Sequence, residues 1–258
     1  MKLSAVLSDL GQTLLDYGPA ARWPEFRLQR MEALYPLARE LWGEIGLPAA
    51  EFGRAIGGGI QTDELRAREH RGLSRPFSER LCEALAAIGV TADEPSLARF
   101  GDAFSEPVRS WPRPYPETRL ALERLRALGL RMAIITNAPW DTPGSLLHQD
   151  LVRWDLDGFF DAFVGSGEVP WRKPHPEFMW AAARALGVSP SECLVIGDNL
   201  MADVGGARAA GMRSVWMNRD GGVAPTDAPQ PDWVARSLRD AVGVVEAGWH
   251  APGAHAGR

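Results

Sequence analysis

Six side chains with catalytic or ligating chemistry lie at or beside the ends of short apolar segments in this sequence. They are Asp9, Thr136, Asn137, Lys173, Asp198 and Asp203. The apolar segments have the length of β-strands, and the carboxyl ends of parallel strands face a common crevice in which ligands bind. We therefore expect these residues, although distant in sequence, to converge at one site.

The chemistry of this set suits the transfer of a phosphoryl group. Asp9 is a candidate nucleophile that would attack phosphorus with its carboxylate. The Thr136 hydroxyl and nearby backbone N–H groups would hold phosphate oxygens, and the Lys173 ammonium would neutralise charge on the nucleophile and the phosphate. Asp9 and Asp198 also offer the hard oxygen ligands that Mg²⁺ prefers.

Each of these residues also has a purely structural explanation. Asp9 could simply belong to a turn, since aspartate is common in turns. Thr136 could do no more than end a strand, Asp198 could cap the helix that follows it, and Lys173 could be a solvated loop residue. The structural explanations would all have to hold at the same time, and the shared chemistry of the set favours a site.

The elements that must position these residues alternate between strand and helix patterns. Strands are predicted at 3–7, 132–135, 162–165, 193–196 and 214–217, and helices at 117–128, 146–154, 176–186, 202–210 and 238–246. Such alternation predicts an α/β fold with a doubly wound parallel sheet. Residues 249–258 are expected to form a frayed tail.

A long block of helical apolar spacing separates the first strand from the others. It covers about 22–110, and the glycine run 57–59 inside it predicts a loop or a helix break. The proline-dense segment 110–116 has the composition of a linker that returns to the sheet. We therefore predict a core domain from residues 1–16 and 112–258, and a helical domain from residues 17–111.

Bulk properties exclude several classes of protein. The 258 residues carry a net charge of −5, which does not favour binding to nucleic acid. No apolar run approaches the roughly 18 residues that a membrane span needs, and the N-terminus lacks signal-peptide order. Cys82 and Cys193 do not make a disulfide framework, so the expected compartment is the cytoplasm.

Four motifs in this order resemble those of the haloacid dehalogenase-like (HAD) hydrolase superfamily. They are Asp9-Leu-Gly-Gln-Thr13-Leu14, the apolar strand into Thr136-Asn137, Lys173-Pro-His-Pro-Glu177, and Gly197-Asp198-Asn-Leu-Met-Ala-Asp203. The resemblance covers about 1–16 and 112–245. It implies a Rossmann-like core and a helical cap inserted after the first motif.

The resemblance also implies a role for each motif residue. Asp9 would be the nucleophile that forms an aspartyl-phosphate, and Thr136, Asn137 and Lys173 would bind the phosphate of a small-molecule substrate. Mg²⁺ would be held by the Asp9 and Asp198 carboxylates and by the backbone carbonyl of residue 11. Asp203 would support the metal or Lys173.

One departure from the family pattern concerns the chemistry directly. Phosphatases of the family usually carry a second aspartate two residues after the nucleophile, where this chain has Gly11. That aspartate protonates the leaving group and later activates water, a contribution of roughly 10²–10⁴ in rate. Gly11 retains the carbonyl that would bind the metal, whereas Gln12 cannot shuttle a proton.

Gly11 leaves several activities open. The leading interpretation is an Mg²⁺-dependent phosphatase, and the main alternative is a HAD-fold protein that binds phosphate, metal or a partner without turnover. A haloacid dehalogenase is disfavoured because relatives of that type lack the equivalent of Asp198. Phosphonate cleavage uses a cap lysine in the family, and residues 17–111 contain no lysine.

Three tryptophans lie near the motifs, at positions 111, 140 and 171. An aromatic wall there would favour an aromatic or apolar substrate, whereas ordinary packing is the structural alternative. His175, which precedes Pro176, is expected to begin a helix rather than act as a catalytic base.

Overall fold

The computed structural model describes residues 2–18, 23–69, 75–106, 112–138 and 144–249. Its strands are β1 (Ala5–Ser8), β2 (Leu15–Asp16), β3 (Arg113–Pro114), β4 (Arg131–Thr136), β5 (Ala162–Gly165), β6 (Cys193–Gly197), β7 (Arg213–Met217) and β8 (Trp233–Ala235). Its helices are α1 (Trp23–Ala33), α2 (Tyr35–Trp42), α3 (Ala49–Glu69), α4 (Phe77–Ala87), α5 (Glu94–Ser105), α6 (Thr118–Ala127), α7 (Gly144–Arg153), α8 (Pro176–Leu186), α9 (Gly205–Ala209) and α10 (Leu238–Glu246).

Six strands form one parallel sheet in the order β5-β4-β1-β6-β7-β8. The two sheet faces are both buried, which is why the strand sequences are apolar almost throughout. In β1, Val6 contributes to the cluster on one face, whereas Ala5 and Leu7 contribute to the cluster on the other. Helices α6, α7 and α10 cover the first face, and α8 and α9 cover the second. The prediction of a Rossmann-like α/β core is confirmed.

Helices α1 to α5 all lie between β2 and β3 in the chain, and we call them the helical insert. Aromatic rings fill its interior: the Phe77 and Phe104 rings stack 5.3 Å apart, and Phe52 meets Phe100 edge-on at 6.5 Å. β2 and β3 pair antiparallel, so the chain enters and leaves the insert side by side. The division into two domains at residues 17 and 111 remains a prediction.

The predicted break at the glycine run 57–59 is wrong, because α3 continues through it. These glycines allow close helix packing rather than a turn. A Cβ at Gly57 would lie 3.0 Å from Leu28 of α1, and one at Gly59 would lie 3.2 Å from Ala84 of α4. The missing side chains let neighbouring helices approach α3, a need that local sequence does not reveal.

Other predictions also differ from the structure. The helix predicted at 202–210 is a π-helical turn, Leu200–Val204, followed by the short α9. Strand β8 was not predicted, and the expected frayed tail is wrong at its first residue. Trp249 is only 5% exposed and stacks on Trp233 of β8, with the Arg213 guanidinium 4.9 Å from its ring centre. Residues 250–258 lie outside the described residues.

Within the described part of the chain, no helix combines the length and the apolar character needed to cross a membrane.

Candidate active site

Lys173 is the centre of a buried cluster at the carboxyl ends of β1, β4 and β6. Its Nζ lies 2.6 Å from Asp9 Oδ1 and 2.6 Å from Asp203 Oδ1, and it donates a third hydrogen bond to the Ile135 carbonyl at 3.0 Å. The residue is 3% exposed. All three ammonium donors therefore have acceptors, as a buried charge requires.

Asp9 follows directly on β1, and the neighbouring strand fixes its backbone. Its N–H donates to the Ile196 carbonyl of β6 at 2.9 Å, continuing the ladder beyond the last strand residue. Lys173 holds one carboxylate oxygen, and the Thr13 hydroxyl donates to the other at 3.2 Å. The carboxylate is thereby held in one orientation on a rigid element.

Asp203 is anchored by both of its carboxylate oxygens. Oδ1 accepts from Lys173, and Oδ2 accepts from the Asn199 backbone N–H at 3.0 Å. Its side chain lies against Gly197 so closely that a Cβ at position 197 would be 2.2 Å from Asp203 Cγ. The glycine that ends β6 is therefore required for Asp203 to reach Lys173.

Asp198 completes a cluster of three carboxylates. One carboxylate oxygen from each of Asp9, Asp198 and Asp203 can be chosen so that all three lie within 4.8 Å of one another. The Asp198 carbonyl accepts from the indole N–H of Trp216 on β7 at 2.8 Å. Its carboxylate receives no hydrogen bond from another residue in the part of the chain that the structure describes.

The electrostatics of this cluster fit an additional cation. Burial raises the pKa of Asp9 to about 6, although Lys173 acts in the opposite direction. Burial also raises the pKa of Asp198 to about 8, and the charges of Asp9 and Asp203 add to the effect. Burial lowers the pKa of Lys173, but the two carboxylates outweigh it and the net direction is upward. A metal ion with oxygen ligands would relieve the excess negative charge.

Thr136 ends β4 beside this cluster and Asn137 follows it, and the structure gives the two residues different contacts. The Asn137 amide donates to the Lys173 carbonyl at 3.0 Å and accepts from the Lys173 N–H at 2.9 Å. It therefore fixes the main chain at Lys173. The Thr136 hydroxyl, by contrast, has no hydrogen-bond partner among the described residues and remains available to a ligand.

Three further residues support the site and were missed in the sequence. The Ser166 hydroxyl accepts from the Ala138 N–H at 3.0 Å, and the Ser166 N–H donates to the Thr136 carbonyl at 3.0 Å. Ser166 follows β5 directly, so the strand-end signal could have found it. No comparable signal marks Trp216, which lies inside β7, or Arg219, which donates to the Thr13 carbonyl at 2.8 Å.

Position 11 has space for a side chain. A Cβ at Gly11 would lie 3.5 Å from a ring carbon of Tyr17, and the backbone there is not left-handed.

Of the three tryptophans considered for an aromatic wall, the structure describes Trp171. Its ring stacks on His175 with ring centres 3.9 Å apart. His175 Nδ1 accepts from the Glu177 N–H at 3.2 Å, which confirms its place at the start of α8. Trp111 and Trp140 lie outside the described residues.

Comparison with known proteins agrees with the motifs. The family model of haloacid dehalogenase-like hydrolases matches residues 3–211 of the chain. The chain belongs to this family. The resemblance inferred from the four motifs is thereby confirmed.

Relatives of this HAD hydrolase include named phosphatases. A phosphoserine phosphatase of Thermus thermophilus is 37% identical over 241 residues, which are 92% of this chain and 89% of the relative. A phosphoglycolate phosphatase of Neisseria meningitidis is 35% identical over 130 residues, which are 49% of this chain and 53% of that protein. Similarity to the first extends over the helical insert as well as the sheet.

Solved HAD structures share the fold over nearly the whole chain. A HAD phosphatase from Thermococcus onnurineus is 23% identical with a TM-score of 0.63, covering 94% of this chain and 98% of that one. A 2-haloacid dehalogenase from Pseudomonas syringae is 25% identical with a TM-score of 0.65, covering 96% and 100%. Both activities therefore occur on this fold, and the residues of the site must distinguish them.

Proposed function

We propose that this HAD hydrolase is an Mg²⁺-dependent phosphatase that cleaves a small phosphate ester through an aspartyl-phosphate on Asp9. The observation that carries the proposal is the buried Lys173 ammonium, held 2.6 Å from both Asp9 and Asp203. It fixes a carboxylate nucleophile at the end of β1 next to a second acidic residue, Asp198. The phosphatase names of the relatives favour the same reaction.

The proposed reaction has two steps. An Asp9 carboxylate oxygen attacks phosphorus, the bond from phosphorus to the ester oxygen breaks, and the leaving group departs as an alkoxide that takes a proton from water. Water then attacks the phosphorus of the aspartyl-phosphate, releasing phosphate and restoring Asp9. The positive charge of Lys173 and the Thr136 hydroxyl, which has no hydrogen-bond partner among the described residues, would stabilise the phosphoryl oxygens in both steps.

Asp9 and Asp198, with the carbonyl of Gly11, are the proposed ligands of Mg²⁺. Bound there, the ion would supply charge neutralisation for the phosphoryl oxygens. Asp203 is proposed as a positioning residue, because both of its oxygens are already engaged by Lys173 and Asn199. Asn137 is likewise assigned to positioning, through its two hydrogen bonds to the Lys173 main chain.

The glycine at position 11 supports a second candidate function. Without a carboxylate at this position the leaving group receives no proton from the usual residue, so a HAD-fold protein that binds phosphate or metal without turnover is the alternative. Haloacid dehalogenation is less favoured, because that reaction has no role for the Asp198 carboxylate, which lies beside Asp9 and accepts no hydrogen bond from another described residue. A substrate with a good leaving group, or a well-placed water, would allow phosphatase turnover despite Gly11.

Three finer assignments belong to the same proposal. Residues 17–111 would form a cap over a core of residues 1–16 and 112–258, as in the family. The substrate would be a small molecule, in line with the phosphoserine and phosphoglycolate for which the relatives are named. A cytoplasmic location is proposed because Cys82 and Cys193 are both free thiols.

Metal removal is the direct test of this function. Phosphate release from p-nitrophenyl phosphate and a panel of phosphorylated metabolites should fall by about 10²-fold or more with EDTA, because the ion neutralises charge in the transition state. Excess Mg²⁺ should restore it. Release that EDTA leaves unchanged would contradict the metal assignment, and a purified protein that releases nothing from any substrate would leave the binding function as the better proposal.

Replacing Asn137 with alanine is expected to loosen Lys173 while the three carboxylates remain. Two hydrogen bonds are lost, so the free energy of unfolding should fall by about 2 kcal/mol. Turnover should fall by about tenfold, because misplacing a catalytic group slows the reaction steeply.

Asn218 offers a matched control for this variant. Its amide donates to the Gly222 carbonyl in an exposed loop, and Asn218→Ala should keep full activity. Chemical denaturation and phosphate-release kinetics on the two variants provide the measurement. Equal turnover in Asn137→Ala and wild type would show that Lys173 is held without the amide.

A further inference from the structure

Gln12, three residues after the proposed nucleophile, has a left-handed backbone with φ of +58°. This region is unfavourable for residues with a side chain, and glycine occupies it at no steric cost. Residues held there against their preference concentrate at functional sites, where surrounding contacts maintain the conformation. The contacts that hold Gln12 in this conformation therefore indicate the role of its side chain.

Every polar group of Gln12 has a partner. The backbone N–H donates to the Leu15 carbonyl at 2.7 Å, and the backbone carbonyl accepts from Arg219 Nε at 3.3 Å. In the side chain, Nε2 donates to the Gly18 carbonyl and Oε1 accepts from the Tyr115 hydroxyl at 3.1 Å. One amide thus bridges two segments about a hundred positions apart in the chain.

These two segments are the crossings between the sheet and the helical insert. Gly18 lies where the chain leaves β2 for α1, and Tyr115 lies just after β3, where the chain returns. The Tyr115 N–H also donates to the Leu14 carbonyl at 3.2 Å, and the Arg219 guanidinium lies 3.5 Å above the Tyr115 ring. Gln12 therefore joins both crossings to the turn that follows Asp9.

The same turn holds the Asp9 carboxylate. Thr13, the neighbour of Gln12, donates its hydroxyl to Asp9 Oδ2 at 3.2 Å, and its carbonyl accepts from Arg219 Nη2 at 2.8 Å. A movement of the Gln12 backbone would carry Thr13 with it and release one oxygen of Asp9. The hydrogen bonds of Gln12 and of its neighbour Thr13 therefore connect the two crossings with the proposed nucleophile.

We propose that Gln12 is a positioning residue that fixes the Asp9–Thr13 turn to both crossings of the helical insert. Its amide holds the Asp9 carboxylate in the attacking orientation as long as both crossings are in place. The catalytic part of this inference rests on the proposed phosphatase function. The structural part, the link between the turn and the crossings, does not.

The test compares Gln12→Gly with Tyr115→Phe, the double variant and a matched control. Asp155 is the control, because it is another non-glycine residue with a left-handed backbone, φ +53°, and its exposed side chain pairs with Arg119 outside the site. Asp155→Gly relieves the same kind of backbone strain far from the nucleophile. It should leave turnover unchanged.

Gln12→Gly should lower kcat by about tenfold with KM within about twofold, because the nucleophile is misoriented while phosphate binding is retained. Tyr115→Phe should give a smaller loss of kcat, and the double variant should be no slower than Gln12→Gly, since both changes break the same link. A purely structural role would lower stability without this split between kcat and KM. Unchanged kcat, or losses that simply multiply in the double variant, would overturn the proposal.

Hydrogen exchange measured by mass spectrometry separates this inference from the proposed function. Peptides that cover 10–18 and 112–118 should exchange faster in Gln12→Gly than in wild type, and at the wild-type rate in Asp155→Gly. This result would support the link even if the protein releases no phosphate. Equal exchange in all three proteins would contradict the link whatever the kinetics show.

Discussion

Asp9→Asn should abolish phosphate release and leave the protein folded. The amide matches the carboxylate in shape, so it can still lie beside Lys173, but it lacks the anionic oxygen that attacks phosphorus. Loss of a nucleophile that acts together with its neighbours costs about 10⁴-fold or more in turnover. Turnover should therefore fall to the background of the assay.

The stability of the same variant tests the electrostatics of the cluster. The folded state raises the pKa of Asp9 to about 6 from its usual 3.8, so the ionised carboxylate is disfavoured on folding at neutral pH. Removing that charge should therefore leave the melting temperature in EDTA at or above that of wild type. A large fall in melting temperature would mean that the pair with Lys173 stabilises the fold more than burial and repulsion destabilise it.

A second acidic residue provides a control for the general effect of removing one negative charge. Asp227 is an exposed carboxylate in the segment between β7 and β8, and Asp227→Asn should keep wild-type turnover. Release that survives in Asp9→Asn at more than a few per cent of wild type would refute the covalent mechanism. Because the two variants have the same net charge, the comparison isolates the position of the carboxylate.

The three carboxylates of the cluster occupy different environments despite their proximity. Both Asp203 oxygens accept hydrogen bonds from protein groups, and the two Asp9 oxygens accept from Lys173 and Thr13. The Asp198 carboxylate accepts none from another residue in the described part of the chain. A carboxylate binds an added ion most readily when its oxygens are not already engaged by protein groups. Asp198 is therefore the residue on which metal affinity should depend most.

Sequence reasoning located the strand-end residues of the site because strands β1, β4 and β6 have strong apolar patterns. A polar residue that follows such a strand lies at the carboxyl edge of the sheet. Lys173 lies in a loop before α8, and the sequence grouped it with Asp9 through its charge and its position near a predicted strand end. The structure brings its ammonium to the cluster across a separation of 164 residues.

The contacts that orient these residues could not be predicted. The pairing of the Asn137 amide with the Lys173 main chain depends on a loop conformation that no local pattern encodes. The continuous α3 through the glycine run depends on neighbours in α1 and α4, and local propensity indicated a break. In each case tertiary packing decided between local structures that the sequence alone left open.

Gly11→Asp should convert the chain into a faster phosphatase. A carboxylate two residues after the nucleophile would protonate the leaving oxygen and then activate water, a contribution of about 10²–10⁴ in rate. Position 11 has room for it: an added Cβ would lie 3.5 Å and 3.9 Å from two Tyr17 ring carbons, and the backbone carries no left-handed strain. The Gly11 carbonyl proposed to bind Mg²⁺ would be retained.

The size of the gain should depend on the leaving group, which makes the test specific for proton transfer. p-Nitrophenolate is a stable anion that departs with little protonation, whereas an alkyl oxygen needs a proton as its bond to phosphorus breaks. Gly11→Asp should therefore accelerate release from an alkyl phosphate much more than release from p-nitrophenyl phosphate. Gly11→Asn has the same shape without the acid and should give no gain with either ester. Equal gains from aspartate and asparagine would assign the effect to packing against Tyr17, and no gain from aspartate would mean that another group already supplies the proton in the wild-type protein.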